Sequence, residues 1–286
     1  MGQTISLLNM KGGVGKTTLA VTLASHAYVH GRKRVLLVDL DPQFNASQYL
    51  MRYEDYEAHV RTRGTIADLL IEEPALRLRG NRPRPSLRRS IVPLSPDDDA
   101  RLHLLPSQLA LAHVVKNPAQ MDYKLEKLLR GVRSDYDYVF IDCPPTDSVL
   151  TTMALNASNY ILVPVKPDRF SILGFANLLQ TIRQFRESAP NPNDVRELGI
   201  VFTQVREETG IEGECMREIR SLADKWKWHV FSSALNWSGT FGRAIRDQTA
   251  PFETKWARSR LKQRISQIVG EMEQRISQMA PGEVQP

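Results

Sequence analysis

Short, almost wholly apolar runs recur along the chain, each closed by a polar, glycine or proline residue. Residues 4–9, 34–39, 138–142, 160–165 and 198–203 are rich in Val, Ile and Leu and show no strict alternation. A strand with one wet face alternates apolar and polar residues, whereas a strand buried on both faces does not, so these runs predict interior strands. Helical spacing of apolar positions is clearest at residues 17–28, 124–132, 172–185 and 256–279. Strands and helices in alternation predict an α/β fold, a mostly parallel twisted sheet flanked by helices on both faces. The pattern breaks between residues 52 and 101. There Arg77, Arg79, Arg82, Arg84, Arg88 and Arg89 stand among Pro83, Pro85, Pro93 and Pro96, and Asp97, Asp98 and Asp99 follow. That composition predicts an irregular surface excursion with one short helix near residues 65–70. With 286 residues, 42% of them hydrophobic, and no internal repeat, the chain is expected to form a single domain over residues 1–286.

The first run leads straight into Met10-Lys11-Gly12-Gly13-Val14-Gly15-Lys16-Thr17-Thr18, and a helical pattern follows at once. A glycine-rich turn between strand and helix lets backbone N–H groups point inward at an anion, and the helix N-terminus adds partial positive charge. In such a cradle Lys16 reaches the β- and γ-phosphates of a nucleotide and the Thr17 hydroxyl can ligate Mg²⁺. A plain glycine turn with a solvated lysine is the alternative, and the strand before and helix after argue against it. Met10 occupies the slot where the usual P-loop has its first glycine. Lys11 places a second cation close to Lys16, an arrangement that needs a polyphosphate or a partner subunit's nucleotide to compensate it. Asp142 closes a predicted strand at the edge where nucleotides bind in open α/β sheets, and it would hold Mg²⁺ through water. Asp39 closes another strand and could support the same metal shell.

The stretch KGGVGKTT resembles the deviant Walker A motif of the ParA/MinD group of P-loop ATPases. Val38-Asp39-Leu40-Asp41-Pro42-Gln43 resembles that group's second motif and switch I, and Val139-Phe140-Ile141-Asp142-Cys143-Pro144-Pro145 resembles its Walker B strand and switch II. The resemblance covers most of the chain outside residues 52–101 and is nearest to short ParA proteins without an N-terminal helix-turn-helix. It implies an ATPase with ATP and Mg²⁺ as cofactors, slow and partner-stimulated hydrolysis, and a homodimer that sandwiches ATP. In that dimer Lys11 would reach the partner's ATP, Lys16 would hold its own, and Asp41 would orient the attacking water. Nucleotide contacts would come from Lys11, Gly12, Gly13, Val14, Gly15, Lys16, Thr17 and Thr18, with Gln204 and Arg206 falling where the family contacts the base. Thr17, Asp39 and Asp142 would serve the metal. Phe44 departs from the pattern, because the family usually has glycine there.

Charge then bears on partners. Lys and Arg number 38 against 32 Asp and Glu, a net charge of +6, which favours an anionic partner. Residues 241–264 carry Arg243, Arg246, Lys255, Arg258, Arg260, Lys262 and Arg264 against only Asp247 and Glu253. This segment resembles the C-terminal region that ParA proteins use for non-specific DNA binding, which makes Arg243, Arg246, Lys255 and Arg258 the DNA-binding candidates. A solvated helix face is the plainer reading of the same charges. The arginine-rich excursion is a second DNA candidate. Trp226, Trp228, Trp237 and Trp256 interleave with charge but suit a core or a dimer surface better than a stacking platform. Leu261, Ile265, Ile268, Val269, Met272, Ile276 and Met279 form a helical stripe that a MinD-like, membrane-associated positioning ATPase would use as an anchor. Glu271 and Glu273 beside it, and the tail from Ala280 to Pro286, fit packing against the protein core instead. No apolar run approaches the roughly 18 residues of a membrane span. Cys143 and Cys215 have no metal-ligand spacing, which argues against an iron–sulfur carrier on the same P-loop. The expectation is a cytoplasmic, nucleoid-associated switch that binds DNA non-specifically and, with a ParB-like or other adaptor, partitions or positions plasmid, chromosomal or protein cargo.

Overall fold

Val, Ile and Leu side chains on both faces of consecutive strands require cover from helices on both sides, and the computed structural model has that arrangement. It describes residues 2–71, 85–95, 99–188, 195–206, 208–255 and 257–279. The strands are β1 (Gln3–Leu7), β2 (Arg34–Asp39), β3 (Val92–Pro93), β4 (Arg101–Leu105), β5 (Tyr138–Asp142), β6 (Tyr160–Val165), β7 (Arg196–Val205) and β8 (Leu235–Asn236). They form one sheet in the order β3-β4-β2-β5-β1-β6-β7-β8. Every pairing is parallel except that of β3 with β4. In this register Leu7 and Asp39 both lie opposite Asp142, so the ends of β1, β2 and β5 meet at one edge.

One face of the sheet is covered by helix Lys16–Val29 and the C-terminal helix Ser259–Met279, around Leu19, Leu23, Phe140 and Ile268. The other is covered by helices Lys124–Arg130, Val149–Ala157, Arg169–Ser188 and Gly210–Lys225, around Leu129, Met153, Phe175 and Ile219. Leu261, Ile265, Ile268, Val269, Met272 and Ile276 are all buried against the first face. At about 1.5–3 kcal/mol for each buried side chain, that stripe is committed to the core. Among the described residues no helix is long and apolar enough to cross a membrane. Cys143 and Cys215 are both buried and free.

The irregular excursion expected over residues 52–101 is corrected. Its described part holds helices Tyr53–Thr62, Ile66–Leu70 and Leu87–Ser90 and strand β3, and β4 begins at its end. Thr65 and Asp68 form a reciprocal capping box at the short helix anticipated from sequence. Ile66, Ala67 and Leu70 are fully buried, and Arg88 pairs with Asp135 at 2.8 Å. The apolar anchors pack with Leu36, Val38 and Leu105 in the core and outweigh the local charge. Arg77, Arg79, Arg82, Pro83, Arg84, Pro96, Asp97 and Asp98 lie outside the described residues, as do Trp256 and the tail from Ala280 to Pro286. The final helix starts at Ser259, three residues later than expected, and the basic segment is spread over helix Gly239–Asp247, the connection that carries Lys255 and Arg258, and the start of the final helix.

The seam between the two helices on the first face carries a titratable group. His26 is buried there, its Nε2 3.0 Å from Ser266 Oγ and its ring centroid 4.7 Å from that of His30 and 5.4 Å from that of Phe252. Burial, and secondarily His30, pushes its pKa down to about 4. A base depressed on folding contributes stability above its unfolded value near 6.5, and that contribution is lost as pH falls towards 4. The loss is on the order of 2–3 kcal/mol. Urea unfolding at pH 7, 6 and 5 checks it: a His26→Gln variant is expected to lose less stability over this range than the parent. Comparing variant with parent matters, because buried carboxylates such as Asp39 act in the opposite sense.

Candidate functional site

The loop from Leu8 to Gly15 leaves β1 at the shared edge and enters helix Lys16–Val29 with no side-chain cap. Gly13 at φ 72° and Gly15 at φ 85° take left-handed conformations that turn the loop back on itself, a geometry a Cβ would strain. The uncapped N–H groups of the helix and the loop amides therefore converge on one space. Two contacts brace the loop from β7: Thr203 Oγ1 donates to Val14 O at 2.6 Å, and the Gln204 side-chain amide donates to Gly13 O at 2.6 Å.

Lys16 lies inside this space with only 7% of its surface exposed. Its Nζ donates to the carbonyls of Asn9 at 3.0 Å and Lys11 at 3.1 Å. Desolvation lowers its pKa against the pull of Asp142 and other acidic neighbours. A cation held this way is poorly satisfied by neutral carbonyls and stands ready for an anion.

The carboxylates line the same edge. Asp142 is fully buried; its Oδ2 accepts from Thr17 Oγ1 at 2.7 Å, and its Oδ1 has no hydrogen-bond partner among the described residues. Burial, then the charge of Asp39, raises its pKa well above the ordinary carboxylate range. Asp39 is also fully buried and is pushed up to about 7, chiefly by burial, although Ser47 donates to it from both N–H (2.8 Å) and Oγ (2.7 Å). Asp41 follows on the loop after β2 and accepts the Gln43 N–H at 2.9 Å. An orphaned buried carboxylate oxygen beside a threonine hydroxyl is a hard-oxygen donor set that suits Mg²⁺.

Lys11 is placed differently. Its Nζ lies at the rim, 2.5 and 2.6 Å from the two oxygens of Asp168 and 5.6 Å from the centroid of the Phe170 ring. Desolvation raises the Asp168 pKa, but the hydrogen bonds from Lys11 and Ser171 outweigh it and hold the carboxyl below its usual range. Beyond this pair Phe170 and Leu173 are 76% and 68% exposed.

The structure thus brings together Lys11, Gly12, Gly13, Val14, Gly15, Lys16, Thr17, Thr18, Asp39, Asp41 and Asp142. Gln204 braces the loop rather than facing outward, and the Arg206 guanidinium lies 5.4 Å over the ring of Trp237. Asn9 and Asp168 are site neighbours that the sequence did not single out, and Trp237, expected in a core or dimer surface, is 58% exposed beside Arg206. Asp168 stands immediately before helix Arg169–Ser188 and its Oδ1 accepts the Ser171 N–H at 2.9 Å, and that N-cap position is the signal that pointed to it. Arg243 and Arg258 line a groove of about 660 Å³ with Arg206, Arg260 and Trp237. Arg246 lies on the same helix as Arg243 and pairs with Asp247 at 2.8 Å. Lys255 follows that helix and is exposed.

Comparison with known proteins agrees with this geometry. A family model described as an AAA domain matches residues 2–194. The chromosome-partitioning ATPase Soj of Thermus thermophilus is 34% identical over 250 residues, 86% of this chain and 88% of Soj. The chromosome partitioning protein ParA of Myxococcus xanthus is 31% identical over 248 residues, 86% of this chain and 81% of ParA. In fold, the ATP complex of a Cyanothece McdA variant superimposes with a TM-score of 0.73 at 16% identity, covering 100% of this chain and 99% of that one.

Proposed function

Because the chain belongs to the ParA/Soj family of P-loop ATPases, we propose that it is a dimerising switch whose ATP-bound form binds DNA without sequence preference and positions a cargo through an adaptor protein. The observation that carries this reading is the contrast between the two lysines: Lys16 is buried in the loop, whereas Lys11 sits at the rim over Phe170, on a helix that also carries the exposed Leu173. A lysine serving its own nucleotide needs the first position. One serving a second subunit's nucleotide needs the rim, with apolar neighbours to bury when the subunits close.

Within that reading Lys16 and the amides of Gly12 to Thr18 hold the phosphates. Thr17 and Asp142 would hold Mg²⁺, with Asp39 supporting from behind, and the ion supplies charge neutralisation to the phosphates. Asp41 orients water at the γ-phosphate. Hydrolysis then reopens the dimer, and the adaptor sets how often that occurs. The Soj and ParA relatives are named for chromosome partitioning, and a segregation or positioning role comes to this chain by that kinship.

Arg243 and Arg258 line one groove and Arg246 shares the helix of Arg243; on this reading they form, with Lys255, a patch too weak to hold DNA alone that dimerisation doubles. If each subunit meets about three phosphates, log affinity falls against log salt with a slope near −5 for the dimer and about half that for the monomer. The experiment is a salt titration with ATP and an Asp41→Ala variant, on two unrelated duplexes and on anionic vesicles. Arg243→Ala with Arg246→Ala is expected to flatten the slope and to weaken both duplexes alike. Preference for vesicles would sink the DNA reading in favour of a membrane-associated one. Indifference to both would leave the patch a solvated surface.

A further inference from the structure

Phe44 closes the turn that carries Asp41, and its backbone is strained. It stands at φ 45° and ψ 38°, the left-handed region, immediately before helix Asn45–Leu50. For a residue with a bulky side chain that conformation is unfavourable, so something in the surroundings must enforce it. Hydrogen bonds do part of this: the Phe44 N–H donates to Asp41 O at 2.8 Å, and the Phe44 carbonyl accepts from the Gln48 N–H at 3.0 Å. The ring does the rest. It lies parallel to the Tyr56 ring, with centroids 5.4 Å apart and an interplanar angle of 5°. The worth of such a stack is of the same order as the strain it opposes.

Tyr56 is itself fixed. It is buried, and its hydroxyl donates to Ser107 O at 2.9 Å. The Ser107 N–H donates to Ser47 Oγ at 3.0 Å, and Ser47 Oγ donates to Asp39 at 2.7 Å. Two paths therefore run between the acidic edge and the helix Tyr53–Thr62, one through Ser47 and one through the Phe44 ring. The residues they enclose are the turn on which Asp41 sits.

We propose that Phe44 is a positioning residue for ATP hydrolysis, whose stack on Tyr56 clamps the turn from Asp41 to Ser47 and presents the Asp41 carboxylate in one orientation. The proposal rests on the reading of Asp41 as the group that orients water. Without the ring, the turn keeps its backbone hydrogen bonds and its Ser47 anchor to Asp39 but loses the contact that holds the strained dihedral at Phe44, and Asp41 samples orientations that do not support the reaction. The phosphates are held by a different loop, so binding of ATP is untouched.

The test separates strain from stack. Phe44→Gly relieves the backbone and removes the ring, so it folds at least as well as Phe44→Ala. Both are expected to lower kcat about five- to tenfold with the KM for ATP within about twofold, and to speed hydrogen exchange at the Gln43 and Gln48 amides. Phe44→Tyr keeps the stack and restores kcat. Tyr56→Leu reproduces the glycine variant, and combining the two adds no further loss. Wild-type kcat in Phe44→Gly, full additivity with Tyr56→Leu, or no rescue by tyrosine overturns the clamp. Wild-type turnover in Asp41→Ala would instead overturn the role of Asp41, and the two failures are told apart because amide exchange at the turn is read without any hydrolysis.

Discussion

Lys16→Ala is expected to weaken ATP binding by about 10² to 10³-fold, the loss that follows when one partner of a buried charge pair worth 3–4 kcal/mol is removed. Lys16 is 7% exposed and, among the described residues, donates to the Asn9 and Lys11 carbonyls rather than to a carboxylate. Around it Asp39 and Asp142 are fully buried and Asp41 nearly so. Removing the lysine leaves the polyphosphate beside this acidic edge without the buried cation that offset it. Folding is expected to survive, because the carboxyls at Asp39 and Asp142 are already raised by burial and relieve their charge by taking up protons. Isothermal titration with ATP and Mg²⁺, beside a thermal melt without nucleotide, measures both halves. An affinity within tenfold of the parent, at an unchanged melting temperature, would remove Lys16 from the phosphate site.

What sequence revealed here follows from how local each feature is. β2, β5 and β6 coincide with their apolar runs because each is buried on both faces, and nothing dilutes the pattern. β4 escaped notice because its burial alternates at its start, and β3 and β8 because two residues carry no period. The phosphate loop was legible since its glycines, lysine and threonine are contiguous. Asp39 and Asp142 were legible as strand ends, and parallel register alone then sets them opposite one another. The contact between Lys11 and Asp168 spans 157 positions, and that of Gln204 with Gly13 spans 191. No spacing rule reaches that far. The left-handed backbone of Phe44 was hidden for another reason: a residue's name announces that conformation when it is glycine, and here the stack on Tyr56 substitutes for the missing freedom.

The second large effect separates dimerisation from chemistry. Lys11→Ala is expected to leave ATP binding within a few-fold of the parent and to eliminate the ATP-dependent dimer, while Asp41→Ala dimerises with ATP and hydrolyses it at least 100-fold more slowly. The Lys11–Asp168 pair is about one-quarter exposed on both sides, so solvent screens it and its removal is expected to alter stability by no more than about 1 kcal/mol. A triphosphate offers more negative charge than one carboxylate, so a nucleotide brought close by a second subunit draws Lys11 away from Asp168 without an added driving force. Burial of Phe170 and Leu173, 76% and 68% exposed in the single chain, adds to the same closure. Alanine at position 11 removes the charge that would bridge the subunits and keeps the Lys16 site whole. Asp41 contributes to neither contact, which is why its loss should hold the switch closed. Light scattering with ATP reads the assembly, and phosphate release reads the chemistry. A normal ATP dimer in Lys11→Ala would contradict a lysine acting between subunits, and unchanged phosphate release in Asp41→Ala would move the water-orienting role to another residue of the same edge.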